Sequence, residues 1–219
     1  MIVIKFGGSL VKDKKVLENL CSEIESLSEN FNLLIVPGGG VFADLARSYD
    51  KRFKFSPEIS HKMAILAMDQ NGFLISKFFK DYIFVYDLND LNKVKNSSNV
   101  KIFIPSKFLF ELPESELQYS WDITSDSISA YIAEKLEAEK LIILKDVCGL
   151  YDSDPEKNKD AKLIKKINLN EIKNLPESCI DKKFHEFLKT DCFIINGKFP
   201  ERISGVLENK DFAGTEILI

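Results

Sequence analysis

The chain has 219 residues, of which 45% are hydrophobic and 29% charged, a composition typical of a globular protein with a substantial core. Its formal net charge of −4 and sequence pI near 5.4 exclude an overall basic surface, so we expect no nucleic-acid partner. The amino terminus carries neither a basic start nor a long apolar stretch, which predicts a cytoplasmic protein that does not enter a membrane.

The two histidines and four cysteines show none of the spacings typical of a zinc site. No two cysteines form a C-x-x-C pair, and the simplest interpretation is that all four are reduced, mostly buried thiols. The sequence identifies no metal ligands.

The first two apolar runs both end in glycine-rich turns. The apolar run from Met1 to Phe6 predicts a buried strand, which is followed by Gly7, Gly8 and Ser9 and then by an amphipathic helix. Leu33 to Val36 reads as the next strand and ends at Gly38, Gly39 and Gly40, before a helix that begins near Val41. This alternation of strands and helices predicts a largely parallel sheet with helices on both faces.

Glycine turns that lead into helices expose backbone N–H groups, which attract anions. Lys5 lies in the first strand beside one such turn, where a buried ammonium group needs an anionic partner. The arrangement predicts phosphoryl-transfer chemistry, with Gly7, Gly8 and Ser9 as donors to the phosphate. The alternative is structural: glycine suits any tight turn, and a lysine on an edge strand extends its ammonium group to solvent.

The middle of the chain predicts one long helix and two further strands. Ser56 and Pro57 form a helix start, and the helix has Ile59, Met63, Leu66 and Ala67 among its apolar positions. His61 on this helix is expected to be a hydrogen-bonded structural residue. Strands are predicted from Tyr82 to Tyr86 and from Val100 to Ile104, and the irregular segment from Pro105 to Ser120 marks the passage between two lobes.

The second lobe repeats the alternation of helix and strand. Thr124 or Ser125 caps a helix, and strands are predicted from Leu141 to Leu144, Cys192 to Ile195 and Thr215 to Ile219. We therefore predict a single domain, 1–219, with two lobes at 1–115 and 116–219.

Charged residues follow the predicted elements of this second lobe. Asp126 lies in the first turn of a helix, where the helix dipole favours a carboxylate; the functional alternative is that it orients catalytic lysines and keeps them protonated. Lys145 and Asp146 end a strand, and the loop that follows them is where an open α/β sheet binds a nucleotide. We expect the ATP base and ribose near this loop.

Seven motifs spread over nearly the whole chain resemble the amino acid kinase superfamily: K-x-G-G-S at 5–9, P-G-G-G at 37–40, T-S-D at 124–126, K-D-V-x-G-L-Y-x-x-D-P at 145–155, A-K-L-I at 161–164, N-G-K at 196–198 and G-T-E-I at 214–217. The resemblance implies a three-layer αβα sandwich with an open, mainly parallel sheet, in which an acceptor-binding lobe at 1–115 holds the phosphoryl acceptor and an ATP-binding lobe at 116–219 holds ATP. It also implies ATP and Mg²⁺ as cofactors and a small phosphorylated acceptor as the partner. We further expect a homo-oligomer.

The resemblance also implies roles for individual residues. Lys5 would stabilise the migrating phosphoryl group and Asp126 would organise the site, with a second lysine among Lys145, Lys182, Lys183 and Lys198; we assign Lys145. The residues expected to bind ATP are Gly7, Gly8, Ser9, Lys145, Asp146, Gly149, Tyr151, Asp154 and Lys198. Those expected to bind the acceptor are Gly38, Gly39, Gly40, Asp44, Arg47 and Thr124.

Two segments, 60–70 and 120–127, resemble a small subgroup of the superfamily, the aminomethylfuran-phosphate kinases of methanofuran biosynthesis. The expected reaction is transfer of the ATP γ-phosphoryl group to a phosphate monoester, which gives a diphosphate. Phe42 and Met68 are expected to form a flat apolar wall for the acceptor, and the alternative for both is ordinary packing in the core. The alternatives are a UMP kinase-like nucleotide kinase, and a non-catalytic protein that binds or stores nucleotides or oxyanions.

Overall fold

The computed structural model describes residues 1–94, 97–155, 157–175 and 179–219. Its centre is a sheet whose strands are β1 (Ile2–Phe6), β2 (Leu33–Pro37), β3 (Tyr82–Val85), β4 (Val100–Phe103), β5 (Lys140–Lys145), β6 (Lys166–Asn168), β7 (Cys192–Asn196) and β8 (Gly214–Leu218). Their order across the sheet is β3-β4-β2-β1-β5-β7-β8-β6. Every pair is parallel except β7 with β8, which confirms the predicted fold class.

Helices cover both faces of the sheet. They are α1 (Lys14–Ser28), α2 (Gly40–Phe53), α3 (Pro57–Ser76), α4 (Leu91–Val94), α5 (Ser106–Leu109), α6 (Ser125–Lys135), α7 (Leu169–Ile172), α8 (Phe184–Phe187) and α9 (Glu201–Leu207). Two buried apolar clusters result, one on each side of the strands, because the central strands are apolar on both faces. Within the described ranges, no helix combines the length and apolar character that crossing a bilayer requires.

The position of β1 determines where a site can form. Its residues pair on one side with β2 and on the other with β5, so that Lys5 lies opposite both Val36 and Ile143. Because these three strands are parallel, their carboxyl ends reach the same edge of the sheet, where such sheets bind ligands. The turns after β1, β2 and β5 are therefore neighbours.

The structure differs from the sequence-based expectation in one strand. The sequence analysis does not predict β6, because its three residues, of which only Ile167 is buried, are too few to establish a strand pattern.

The buried face of α3 also differs from the expectation. The helix begins as predicted, with the Ser56 hydroxyl accepting a hydrogen bond from the Ile59 amide. However, Ile59 and Leu66 are 49% and 44% exposed, and the buried apolar residues include Ile65 and Met68. Since apolar residues occur on several sides of this helix, its periodicity does not define one face.

Candidate active site

The two glycine turns pack directly against each other. A Cβ atom added to Gly8 would lie 2.2 Å from the Gly40 nitrogen, and Gly40 itself has a φ of +51°, a conformation that favours glycine. The Gly38 amide donates a 2.8 Å hydrogen bond to the Phe6 carbonyl, and the Asn71 side-chain amide donates one of 2.5 Å to the Gly38 carbonyl. Backbone contact of this closeness requires residues without side chains.

A cavity of about 440 Å³ opens beside these turns. Most of the residues that we predicted for the site line it: Lys5, Gly7, Gly8, Ser9, Gly39, Gly40, Asp44, Arg47, Thr124, Lys145 and Asp146. Residues from both proposed lobes therefore share one cavity. Gly38 lies one position before the lining residue Gly39.

Asp126 bridges two lysines at the inner end of this cavity. Its carboxylate lies 2.8 Å from the Lys5 ammonium group and 2.6 Å from that of Lys145, which donates a hydrogen bond to it. The Lys5 and Asp126 side chains are 5% and 3% exposed, whereas Lys145 is 15% exposed and faces the cavity with Lys5. The other candidates for the second lysine lie elsewhere: Lys182 pairs with Asp122, Lys183 pairs with Glu186, and the exposed Lys198 does not line this cavity.

The three charged groups of this cluster shift one another's pKa values. Burial opposes ionisation of Asp126, but the charges of Lys145 and Lys5 outweigh it and lower the pKa of Asp126 to about 2. Burial lowers the pKa of Lys5, while for Lys145 the attraction of Asp126 exceeds the effect of burial and raises the pKa. With both lysines protonated, one carboxylate and two ammonium groups leave one excess positive charge facing the cavity, which is suited to an anion.

Asp181 is a site residue that the sequence analysis missed. Its carboxylate accepts hydrogen bonds from the Thr124 amide at 2.9 Å, the Thr124 hydroxyl at 2.8 Å and the Ser127 amide at 3.0 Å. Thr124 is the N-cap residue of α6, so Asp181 holds the helix start that carries Asp126. No local pattern indicates this role, because the two segments are 57 residues apart in the chain.

The outer part of the cavity has a mixed aromatic and cationic wall. The Arg47 guanidinium lies over the Trp121 ring, 4.7 Å from its centroid, and the buried Arg47 Nε has no hydrogen-bond partner in the described chain. Met68 and His61 also line the cavity. Phe42, which we expected beside Met68, does not line it; Trp121 takes that position instead.

His61 does not behave as the hydrogen-bonded structural histidine that the sequence suggested. It is 6% exposed and its ring lies 5.1 Å from the ring of Tyr119, but no residue within the described ranges forms a hydrogen bond with it. Burial lowers its pKa to about 4, so the ring is neutral at pH 7.

Four predicted ATP-binding residues lie outside the cavity. Gly149 packs against Thr215, Tyr151 forms a bridge with Leu163, Asp154 lies 3.0 Å from Lys157, and Lys198 is exposed. Gly149, Tyr151 and Asp154 belong to the loop after β5, and Lys198 follows β7, the next strand of the sheet. Their role in binding ATP stays a prediction.

A metal ion has few ligands available here. Across the described ranges, no group of three or more His, Cys, Asp or Glu side chains is arranged to hold one. Mg²⁺ that accompanies ATP is bound mainly by phosphate oxygens and waters, and one or two carboxylates suffice. Asp146, exposed and lining the cavity, is a carboxylate that fits this role, whereas Asp126 is already paired with two lysines.

Comparison with known proteins identifies the family. The [5-(aminomethyl)furan-3-yl]methyl phosphate kinase of Methanocaldococcus jannaschii is 38% identical over 226 residues, covering 100% of this chain and 98% of that protein. The isopentenyl phosphate kinase of Thermoplasma acidophilum is 28% identical, with 99% and 100% covered. The uridylate kinase structure from Archaeoglobus fulgidus has a TM-score of 0.78 at 19% identity and covers 99% of both chains, which shows the shared fold. The model of the amino acid kinase family matches residues 1–189, and this chain belongs to that family as an ATP-dependent phosphotransferase.

Proposed function

We propose that this kinase transfers the γ-phosphoryl group of ATP to a phosphate oxygen of a small phosphate monoester, which yields ADP and a diphosphate. The observation that carries the proposal is the cluster of Lys5, Asp126 and Lys145, whose excess positive charge faces a cavity bordered by two glycine turns. Such a cavity receives two anionic groups and neutralises the charge between them.

The proposed reaction is a direct in-line displacement. An oxygen of the acceptor phosphate forms a bond to the γ-phosphorus, the bond from that phosphorus to the bridging β-oxygen breaks, and ADP leaves with the electron pair. The acceptor oxygen is already ionised near neutral pH, so no general base is needed. Catalysis then depends on positioning and on stabilisation of the transferring group by Lys5, Lys145 and the N–H groups of the turns.

Mg²⁺, when bound to the ATP phosphates, would add further charge neutralisation at the same place. Asp126, which is ionised at neutral pH, orients both lysines and opposes the effect of burial on their charged forms.

We propose aminomethylfuran phosphate as the acceptor. The 38% identity to the kinase of that name extends over the whole chain, which supports this choice over more distant relatives. The cavity offers the groups that such a molecule needs. Arg47 and the amides of Gly39 and Gly40 are available to the phosphate, and the Trp121 indole provides a flat wall for a furan ring.

A panel of acceptors tests this function. The protein is incubated with ATP, Mg²⁺ and one phosphate monoester at a time, and ADP and the diphosphate product are measured. We expect acceptor-dependent ADP release with aminomethylfuran phosphate. Release with UMP in its place would indicate a nucleotide kinase, and absence of ADP with every acceptor would favour a binding or storage protein.

We also propose that the protein forms a homo-oligomer. Half-exposed apolar side chains recur along α2 and α3: Val41, Leu45, Tyr49, Phe53, Ile59, Leu66 and Phe73. Together they present apolar surface on the order of 500 Å², the scale at which exposed patches mark interaction sites. A second copy of the chain is the proposed occupant. Light scattering should show a dimer or larger assembly, and Leu66→Lys should dissociate it.

A cytoplasmic location is proposed on a separate observation. All four cysteines are free in the structure, as expected in a reducing compartment.

A further inference from the structure

A second cavity of about 320 Å³ adjoins the main one. The two share His61, Ala64 and Trp121, so these residues form a common wall between them. We call the second cavity the side chamber. The residues lining it whose side chains can form polar contacts are Asp50, Ser60, His61, Tyr119, Ser120, Trp121 and Asp122.

The two cavities have opposite electrostatic character. The main cavity is lined by Lys5, Lys12, Arg47 and Lys145, which suits the phosphates. Among the described residues that line the side chamber, there is no lysine or arginine, and two aspartates are present. A ligand that spans both cavities would therefore place its negative end near the glycine turns and meet negative charge at its other end.

Asp50 is the more important of the two carboxylates. It accepts a 2.6 Å hydrogen bond from the Trp121 indole N–H and one of 3.1 Å from the Phe55 amide, and these hold its pKa below the usual value. No lysine or arginine in the described ranges forms an ion pair with it. Asp122, by contrast, is exposed and lies 3.6 Å from Lys182.

His61 supplies an independent indication of a ligand. It is 94% buried and lines both cavities, and its ring forms no hydrogen bond with any residue that the structure describes. A buried imidazole of this kind is normally satisfied by a partner. Because the ring is neutral at pH 7, it accepts a hydrogen bond from a cationic donor without repelling it.

We propose that the side chamber binds a cationic group, a primary ammonium, at the end of the acceptor remote from its phosphate, with Asp50 providing the countercharge and His61 and Trp121 contacting the stem. The proposal rests on the proposed function, because it assumes that the acceptor phosphate occupies the main cavity. It assigns Asp50 a role in choosing between acceptors and none in the chemical step.

The test measures binding without turnover. Calorimetric titration compares aminomethylfuran phosphate with the matched alcohol, in which a hydroxyl replaces the amine, for wild type, Asp50→Asn and Asp44→Asn. We expect wild type to bind the amine about fivefold more tightly, as for a partly exposed charge pair, and Asp50→Asn to lose this preference. The asparagine side chain in Asp50→Asn still has one oxygen that can accept the hydrogen bond from the Trp121 N–H. Asp81→Asn, at an exposed position, is titrated in the same way as a control and should retain the preference for the amine.

Two results would overturn the proposal. Equal affinity of wild type for the amine and the alcohol would show that no ammonium site exists, and this comparison needs no variant that might unfold. Loss of the preference in Asp44→Asn but not in Asp50→Asn would place the ammonium in the main cavity. Neither result depends on ADP release, so failure of the kinase proposal is recognised separately by the acceptor panel.

Discussion

Lys145 and Asp126 form a 2.6 Å hydrogen-bonded ion pair that connects the end of β5 to the first turn of α6. The same carboxylate also holds Lys5 from the adjacent strand β1. A single buried aspartate thus fixes the spacing of two ammonium groups in one cavity. Removal of any member of this cluster is expected to have a measurable consequence.

Substitution Lys5→Ala should lower kcat by about 10²-fold or more, because it removes a positive charge next to the transferring phosphoryl group. Circular dichroism should show a folded protein. Lys101→Ala is the matched control: Lys101 is also buried in this sheet, but its ammonium group donates to the carbonyls of Ser97 and Asn99, away from the cavity. It should lose stability and keep kcat. Near-wild-type turnover of Lys5→Ala would remove Lys5 from the mechanism.

Asp126 should make stability depend on pH in the acid range. Its pKa in the folded protein is about 2, compared with a usual value of 3.8, so its contribution is present above pH 4 and is lost as the pH falls towards 2. The shift corresponds to on the order of 2 kcal/mol. Urea unfolding of wild type and Asp126→Asn, compared at pH 7 and about pH 2.5, should show a smaller difference between them at the lower pH. A constant difference would contradict the assignment.

Substitution Asp181→Ala should destabilise the protein by about 2 kcal/mol, because the start of α6 loses the hydrogen bonds that Thr124 and Ser127 donate to this carboxylate. Since Asp126 lies in that first turn, we also expect kcat to fall while KM for ATP changes little. Asp13→Ala provides the comparison, because Asp13 caps α1 through the amides of Lys15 and Val16. That variant should lose stability alone, and a similar kcat in both variants would show that Asp181 is merely structural.

Substitution Arg47→Met should raise KM for the acceptor on the order of tenfold, with KM for ATP unchanged, because the guanidinium in the main cavity contacts the acceptor phosphate in our proposal. Steady-state kinetics with each substrate varied in turn provides the measurement. Arg52→Met is the control on the same helix: Arg52 is exposed and lies 5.2 Å from the Phe53 ring, outside the cavity. An equal effect on both KM values in Arg47→Met would contradict an acceptor-specific role.

The sequence alone determined the central strands of the sheet, the two glycine turns and the residues of these turns that border the cavity. Strand-turn-helix order is a local property, and parallel strands must end at one edge, so Lys5, Gly8 and Gly40 were predictable as neighbours.

The tertiary structure determines three features that no local sequence pattern indicates. It selected Lys145 from several lysines, because only packing of α6 against β1 and β5 shows which ammonium group reaches Asp126. It brought Asp181 to the start of α6 across a long separation in the chain. It also placed His61 between two cavities. The apolar residues of α3 do not define one buried face, so contacts with residues distant in sequence determine which side of this helix is covered.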